Sequence, residues 1–216
     1  MKIYVVGSSK NKFLPLDNIR EKFLIDQPHE GDNIDFLNPW YCELTGLYYL
    51  WKHVDDDIVG LEHYRRYFVN DKRKLLSEGE IRDLLKIYDI ITPLAAYSKY
   101  RPVKTWPINH KIWPDFQRYL CFAKVYVGEE YYNACQEVLN SDGHCYANMF
   151  ICKKELINEY CEFIFDVLET FRKAEEHYGR KLTPRILGYF TEFLFKAWVL
   201  NIKHAKLKIN KFRLVR

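Results

Sequence analysis

The 216-residue chain has no C-x-x-C pair, no apolar run of membrane-spanning length and no strong excess of either charge. Each absence excludes something. Its six cysteines, Cys42, Cys121, Cys135, Cys145, Cys152 and Cys161, are scattered, which argues for reduced, mostly buried thiols and against a zinc site or disulfide framework. The most apolar stretch, Ile186 to Leu200, is interrupted by Thr191, Glu192 and Lys196. It is also shorter than the roughly 20 residues that span a bilayer. The chain opens on Met1-Lys2-Ile3-Tyr4 and runs straight into a strand-like segment, without a secretory signal's apolar region, so a cytoplasmic protein is expected. Walker, G-x-G-x-x-G and G-x-S-x-G patterns are missing too, which argues against a P-loop NTPase, a dinucleotide dehydrogenase and a serine hydrolase, and no H-x-x-x-H or H-E-x-x-H spacing marks a metal site.

The charge that is present is unevenly placed. Thirty-three Lys and Arg stand against 29 Asp and Glu, a formal +4. Lys203, Lys206, Lys208, Lys211, Arg213 and Arg216 occupy the last 16 positions without an acid, and the first 200 residues therefore sum to −2. A nucleic-acid binder needs its phosphate-neutralising charge across the body of the fold, so no nucleic-acid partner is expected. The basic segment 201–216 alternates with Leu207, Ile209, Phe212 and Leu214. This pattern suits either contact with an anionic membrane surface or a final amphipathic strand packed on the fold. A composition that is 48% hydrophobic and 17% aromatic excludes disorder. The length fits one domain, 1–200, followed by that segment.

Lys2 to Gly7 predicts a buried first strand, followed by a loop rich in Pro, Asp, Gly and Asn to about residue 38. Asn38 as cap and Pro39 at the first helical position then open a helix, with Trp40, Leu44, Leu47, Tyr48 and Trp51 on one face. Strands are expected at 57–61, 88–92 and 145–152. Helices are expected from Ser77, whose Glu80 completes a capping box, from Pro114, over 129–139, after 153, and from Thr183-Pro184. Residues 94–114 read as a long functional loop. Strands alternating with helices predict an α/β fold with a mostly parallel sheet.

Several residues are candidates for chemistry. His63-Tyr64-Arg65-Arg66-Tyr67-Phe68 follows the strand 57–61, beyond whose carboxyl end an α/β sheet binds its ligands. Two arginines there suit a diphosphate; alternatively they pair with acids such as Asp55 to Asp57. Glu192 is a carboxylate within an apolar helix, either a general base or the partner of Lys196 four residues on. Glu43 lies at the edge of its helix's apolar stripe. Asn148 interrupts a strand, where it either holds a sugar hydroxyl or satisfies backbone. His110 and His144 sit in or beside loops. The acids Asp55 to Asp57 precede their strand and read as a solvated turn.

Taken in order, Asn33-Ile34, Asn38-Pro39-Trp40-Tyr41-Cys42-Glu43-Leu44-Thr45-Gly46-Leu47-Tyr48, Trp51-Lys52 and Gly60-Leu61-Glu62-His63-Tyr64-Arg65-Arg66-Tyr67-Phe68 form a long ordered pattern. With Asp89-Ile90-Ile91, Asn148 to Ile151, Arg185, Gly188-Tyr189 and Glu192, it resembles a bacterial family of capsular and exopolysaccharide glycosyltransferases, first catalogued as a domain of unknown function. The resemblance runs from residue 2 to about residue 200. It implies a GT-A-like fold and transfer of a sugar, galactofuranose in known relatives, from a UDP-sugar donor to a polyprenyl-diphosphate-linked oligosaccharide. By this resemblance Gly7 and Ser8 approach the nucleotide, and His63, Tyr64, Arg65 and Arg66 hold the diphosphate. Glu43, His110 and Asn148 meet the sugar or acceptor, and Glu192, with Asp142 as rival, is the base of an inverting displacement. Many GT-A enzymes carry an Asp-x-Asp metal site. Here Glu62-His63-Tyr64 stands in that place, so no cofactor is expected and a metal such as Mn or Mg stays an alternative. Two further alternatives are a non-catalytic binding module and a phosphohydrolase using His63.

Overall fold

The structure of the chain is a computed structural model that describes residues 1–95 and 102–214. Its elements are β1 (Lys2–Gly7), β2 (Arg20–Leu24), α1 (Asn38–Tyr41), α2 (Leu44–His53), β3 (Ile58–His63), β4 (Arg66–Phe68), α3 (Glu78–Leu85), β5 (Ile90–Thr92), β6 (Leu94–Ala95), α4 (Thr105–Asn109), α5 (Trp113–Tyr126), α6 (Glu129–Asn140), β7 (His144–Cys145), β8 (Phe150–Lys153), α7 (Lys154–His177), α8 (Ile186–Lys196), β9 (Leu207–Ile209) and β10 (Phe212–Leu214). A π-helical turn, Ala197–Ile202, extends α8.

β3 is the hub of an eight-stranded sheet. It pairs with β1 in parallel, with β8 antiparallel over Ile58 to Leu61, and with β4 through a hairpin at His63 and Arg66. β2 lies parallel to β1, and β5 joins β8 antiparallel to β9 in parallel. The sheet is therefore mixed: the expected parallel arrangement holds for β2-β1-β3 and β5-β9, while β8 reverses between them. The connection from β5 to β8 carries α4, α5 and α6, and the chain re-enters the sheet antiparallel to both β3 and β5.

Alternation along the strands divides the core. Tyr4, Val6, Val59, Leu61, Phe150 and Cys152 pack under the helices α2 and α5 to α8, whereas Ile3, Ile58, Ile91 and Ile151 meet α3 and Phe68 on the other face. The expected capping box of α3 is formed, with Ser77 Oγ accepting from Glu80 N and the Glu80 carboxylate accepting from Ser77 N.

Four local expectations are corrected. The loop after β1 contains β2, whose Arg20-Glu21-Lys22 hides the apolar period of an edge strand. The helix from Asn38 breaks at Cys42 (φ 52, ψ −125) into α1 and α2. Asn38 is the first residue of α1 and not its side-chain cap. The strand 145–152 is split by a left-handed turn at Ala147 and Asn148. Residues 96–101 of the expected functional loop lie outside the described residues, as do the side chains of His144 and Cys145.

The basic segment enters the sheet: β9 extends β5, and β10 pairs with β4. Lys211 bridges to Asp71 at 2.9 Å, and Lys203 pairs with Glu159. The five cysteines whose side chains are described are free thiols, with Cys135, Cys152 and Cys161 buried, Cys42 half-buried and Cys121 exposed. Among the described residues no helix is long and apolar enough to cross a membrane.

Candidate functional site

A cleft of about 620 Å³ opens at the carboxyl ends of the parallel strands β1 and β3. Its first wall is the start of the loop after β1. Tyr64 N donates to Val6 O (2.9 Å), and Ser8 N donates to Asn11 Oδ1 (2.7 Å). Gly7 is required here because a Cβ would stand 2.8 Å from the Phe13 ring and 2.9 Å from Tyr64 Cβ. The β3–β4 hairpin forms the second wall, with Tyr64, the exposed Arg65 and the half-buried Arg66.

α8 supplies the third wall. Arg185 is left-handed (φ 67), and its backbone N–H donates to Pro39 O at 2.8 Å, which ties the helix start to α1. Gly188 faces α1 at close range, where a Cβ would come into ordinary contact with Tyr41 O at 3.4 Å. The 4-3 spacing of Arg185, Tyr189 and Glu192 then puts all three on the face that lines the cleft. Arg185 lies over the Tyr189 ring, and Trp106 of α4 packs against Tyr189 and Phe193 at 5.2 and 5.3 Å.

The floor is acidic and neutral rather than cationic. The break at Cys42 turns Glu43 inward, where it is nearly buried and accepts from Asn148 Nδ2 at 2.8 Å. Asn148 Nδ2 also donates to Gly188 O at 3.1 Å. His63 shares the lining with Glu43, on the helix-bearing face of β3. Burial pushes its imidazole below the ordinary 6.5; Glu43, Glu192 and a hydrogen bond to the Ala147 backbone oppose the shift, and Arg66 reinforces it. A ring with a lowered pKa favours its uncharged form near neutrality, in which it can accept a hydrogen bond but brings no charge to a ligand. Below about pH 6.5 the unfolded chain protonates this ring before the folded one does. Stability is therefore expected to fall as pH drops through that range. Urea midpoints of wild type and His63→Gln between pH 5 and 8 check this, and identical pH slopes would contradict it.

The residue beside His63 faces the other way. The Glu62 side chain is fully buried on the α3 face and held by Arg20, at 2.8 and 3.2 Å, and by Phe68 N at 2.9 Å. At the place of a GT-A metal pair the residues present do not fit a metal, because this carboxylate points away from the cleft. Among the described residues no cluster of three His, Cys, Asp or Glu is arranged to hold one. Asp56 pairs with the N-terminus and Asp57 with Arg82, at the opposite end of β3.

Of the residues expected at the site, Gly7, Ser8, Glu43, His63, Tyr64, Arg65, Arg66 and Glu192 line one cleft. Asn148 stands behind it, in a turn and not within a strand. His110 stacks on the outer side of Trp106 (3.9 Å, 21°) and is exposed, and Asp142 is exposed on the turn after α6; neither lines the cleft. Lys196 directs its ammonium to Gly143 O at 2.9 Å, the place in which pairing with Glu192 was the alternative. Asn11, Asn38, Trp106 and the walling roles of Arg185 and Tyr189 were missed. The last two carry a readable signal, since they share a helical face with Glu192.

The profile of a family described as a domain of unknown function, DUF4422, matches residues 2–204. No curated protein matches the chain. Among solved structures, the apo structure of WbbM, a bifunctional glycosyltransferase, superposes with a TM-score of 0.80 at 22% identity. The match covers 99% of this chain and 45% of that one, so the chain spans less than half of that protein. The similarity extends to the fold, an α/β sandwich of the GT-A-like kind.

Proposed function

The chain belongs to the DUF4422 family, and from that premise and the cleft we propose that it transfers a sugar from a UDP-sugar donor to a lipid-linked oligosaccharide acceptor. The observation that carries this reading is the convergence of Arg65, Arg66 and Arg185 with the carboxylates of Glu43 and Glu192 in one cleft at the carboxyl ends of β1 and β3. Arginines suit the diphosphate of a nucleotide sugar, and a carboxylate suits the incoming hydroxyl.

In this reading Gly7 and Ser8 border the nucleotide, and Arg65 and Arg66 neutralise the departing UDP without a metal. Glu192 takes the proton of the acceptor hydroxyl as its oxygen attacks the anomeric carbon and the bond to UDP breaks, with inversion. Asp142, outside the cleft, is the weaker candidate for this role. Trp106, with His110 stacked behind it, offers the acceptor an aromatic surface. The reading extends to capsule, exopolysaccharide or O-antigen synthesis at the inner face of a bacterial membrane. There the exposed Lys203, Lys206 and Lys211 around β9 would meet anionic lipid.

UDP release with a purified polyprenyl-diphosphate oligosaccharide tests the transferase directly; UDP-sugar binding without turnover would instead identify a binding module. Arg65→Ala/Arg66→Ala is expected to weaken UDP about 10- to 100-fold, the worth of one or two charge-assisted contacts. Calorimetry checks it, and an unchanged affinity would remove the hairpin from the donor site. Turnover is expected to survive excess EDTA. Loss that Mn²⁺ restores would overturn the metal-independent reading.

A further inference from the structure

One turn holds two acceptor groups at the back of the cleft. Ala147 and Asn148 are consecutive non-glycine residues at φ 62 and 50, a region that a β-carbon disfavours. Of the seven non-glycine residues with positive φ among the described residues, Cys42, Ala147, Asn148 and Arg185 all lie in or directly behind this cleft. Backbone strain gathers where the surroundings impose a geometry on a site.

The turn imposes it through two bonds. Asn148 Nδ2 fixes Glu43 Oε1 while anchored to Gly188 O, and the Ala147 backbone engages the His63 ring. His63 Nε2 is buried and has no hydrogen-bond partner among the described residues, and the same is true of Asn38 Oδ1 in the same lining. Buried polar atoms are nearly always paired. A carboxylate, an amide oxygen and a neutral ring nitrogen in one lining repel phosphate oxygens and call for O–H donors.

We infer that Glu43, Asn38 and His63 recognise hydroxyl groups of the transferred glycosyl unit, with His63 acting as an uncharged acceptor and Asn148 as the positioning residue of Glu43. The inference rests on the nucleotide-sugar reading above. Burial supplies the neutral ring this role needs. Glu43 beside α2 and Glu192 on α8 act against neutrality, and Arg66 on β4 acts for it.

Titration of the full chain with UDP and with UDP-glucose, UDP-galactose and UDP-galactofuranose tests this. His63→Ala is expected to weaken the best-binding UDP-hexose about three- to tenfold, the loss of one hydrogen bond, and UDP by less than about twofold. His63→Gln restores an acceptor oxygen and most of the affinity. It also lacks the loss of UDP-hexose affinity that the wild type shows as pH falls below about 6.5 and the ring becomes protonated. Asn148→Gly keeps the left-handed backbone, removes the amide, and reproduces the selective loss. Equal weakening of UDP and UDP-hexose in His63→Ala would put this ring at the phosphates and overturn the inference. Unchanged UDP-hexose binding in both His63→Ala and Asn148→Gly would do the same. Binding of UDP but of no UDP-hexose by the wild type would remove the sugar pocket and leave the nucleotide reading standing. Binding of neither would remove the nucleotide reading itself.

Discussion

Glu192→Gln is expected to lower sugar transfer by about 10²- to 10⁴-fold, the usual contribution of one positioned general base. The substitution keeps size and hydrogen-bonding shape and removes the ability to take a proton. Glu192 is half-buried on the cleft face of α8, two turns from the helix start that Pro39 anchors, so its backbone is fixed independently of its charge. UDP affinity is expected to change by less than about twofold, because a group that acts on the acceptor hydroxyl contributes mainly in the transition state. A fall in kcat with unchanged UDP binding is the supporting pattern. Near-normal turnover would take Glu192 out of the mechanism and leave Glu43 as the other carboxylate of the cleft. Glu43→Gln provides the comparison, since the sugar-recognition role predicts a larger change in KM than in kcat.

The largest effect on stability is expected at Arg20. Its guanidinium and the Glu62 carboxylate are both fully buried and meet through two nitrogens, at 2.8 and 3.2 Å. Arg20 also donates to Asp17 (2.7 Å) and to Leu76 O (3.1 Å), and Glu62 Oε1 accepts from Phe68 N. Burial alone pushes the Glu62 carboxyl up, while Arg20 and the Phe68 amide pull it back. Arg20→Met leaves a charge-bearing group buried without its partner and is expected to cost about 3–5 kcal/mol. In a chain of this size that lowers Tm by roughly 10 °C. Arg20→Met/Glu62→Leu removes both charges and is expected to regain most of the loss. Urea unfolding of the three proteins measures this. A single-variant loss below about 1 kcal/mol would mean that water or rearrangement reaches the pair. The consequence reaches the cleft, because Glu62 ties the β3 end to β4 immediately before His63, Arg65 and Arg66.

Most helices were legible from local chemistry. Ser77 and Glu80 mark the start of α3 by reciprocal capping, and the apolar faces of α5 to α8 repeat at the helical period. The cluster His63 to Phe68 could be expected beyond a strand's carboxyl end, where ligands bind in such sheets, but its folding back as the hairpin strand β4 could not. β2 was not legible, because an edge strand with three consecutive charged residues shows little alternation. The break at Cys42 was not legible either. Nothing in Trp40-Tyr41-Cys42-Glu43 disfavours a continuous helix; the long-range bonds of Arg185 N to Pro39 O and of Asn148 Nδ2 to Glu43 Oε1 accompany the turn there.

The chain alone therefore determined the class of fold, the family pattern and several of the charged side chains that meet in the cleft, since these follow from period, capping and residue type. Tertiary structure decided which direction each of them faces and what charge it carries. Glu62 and His63 are neighbours in sequence, yet strand alternation sends one into an ion pair with Arg20 and the other into the cleft. Desolvation, a property of everything packed around it, then makes His63 neutral. The same holds for the basic end of the chain. Its +6 is written in the sequence, but the pairing of β9 with β5 and β10 with β4 turns it from an appended segment into part of the sheet, because strand partners distant in sequence are chosen only when the fold closes.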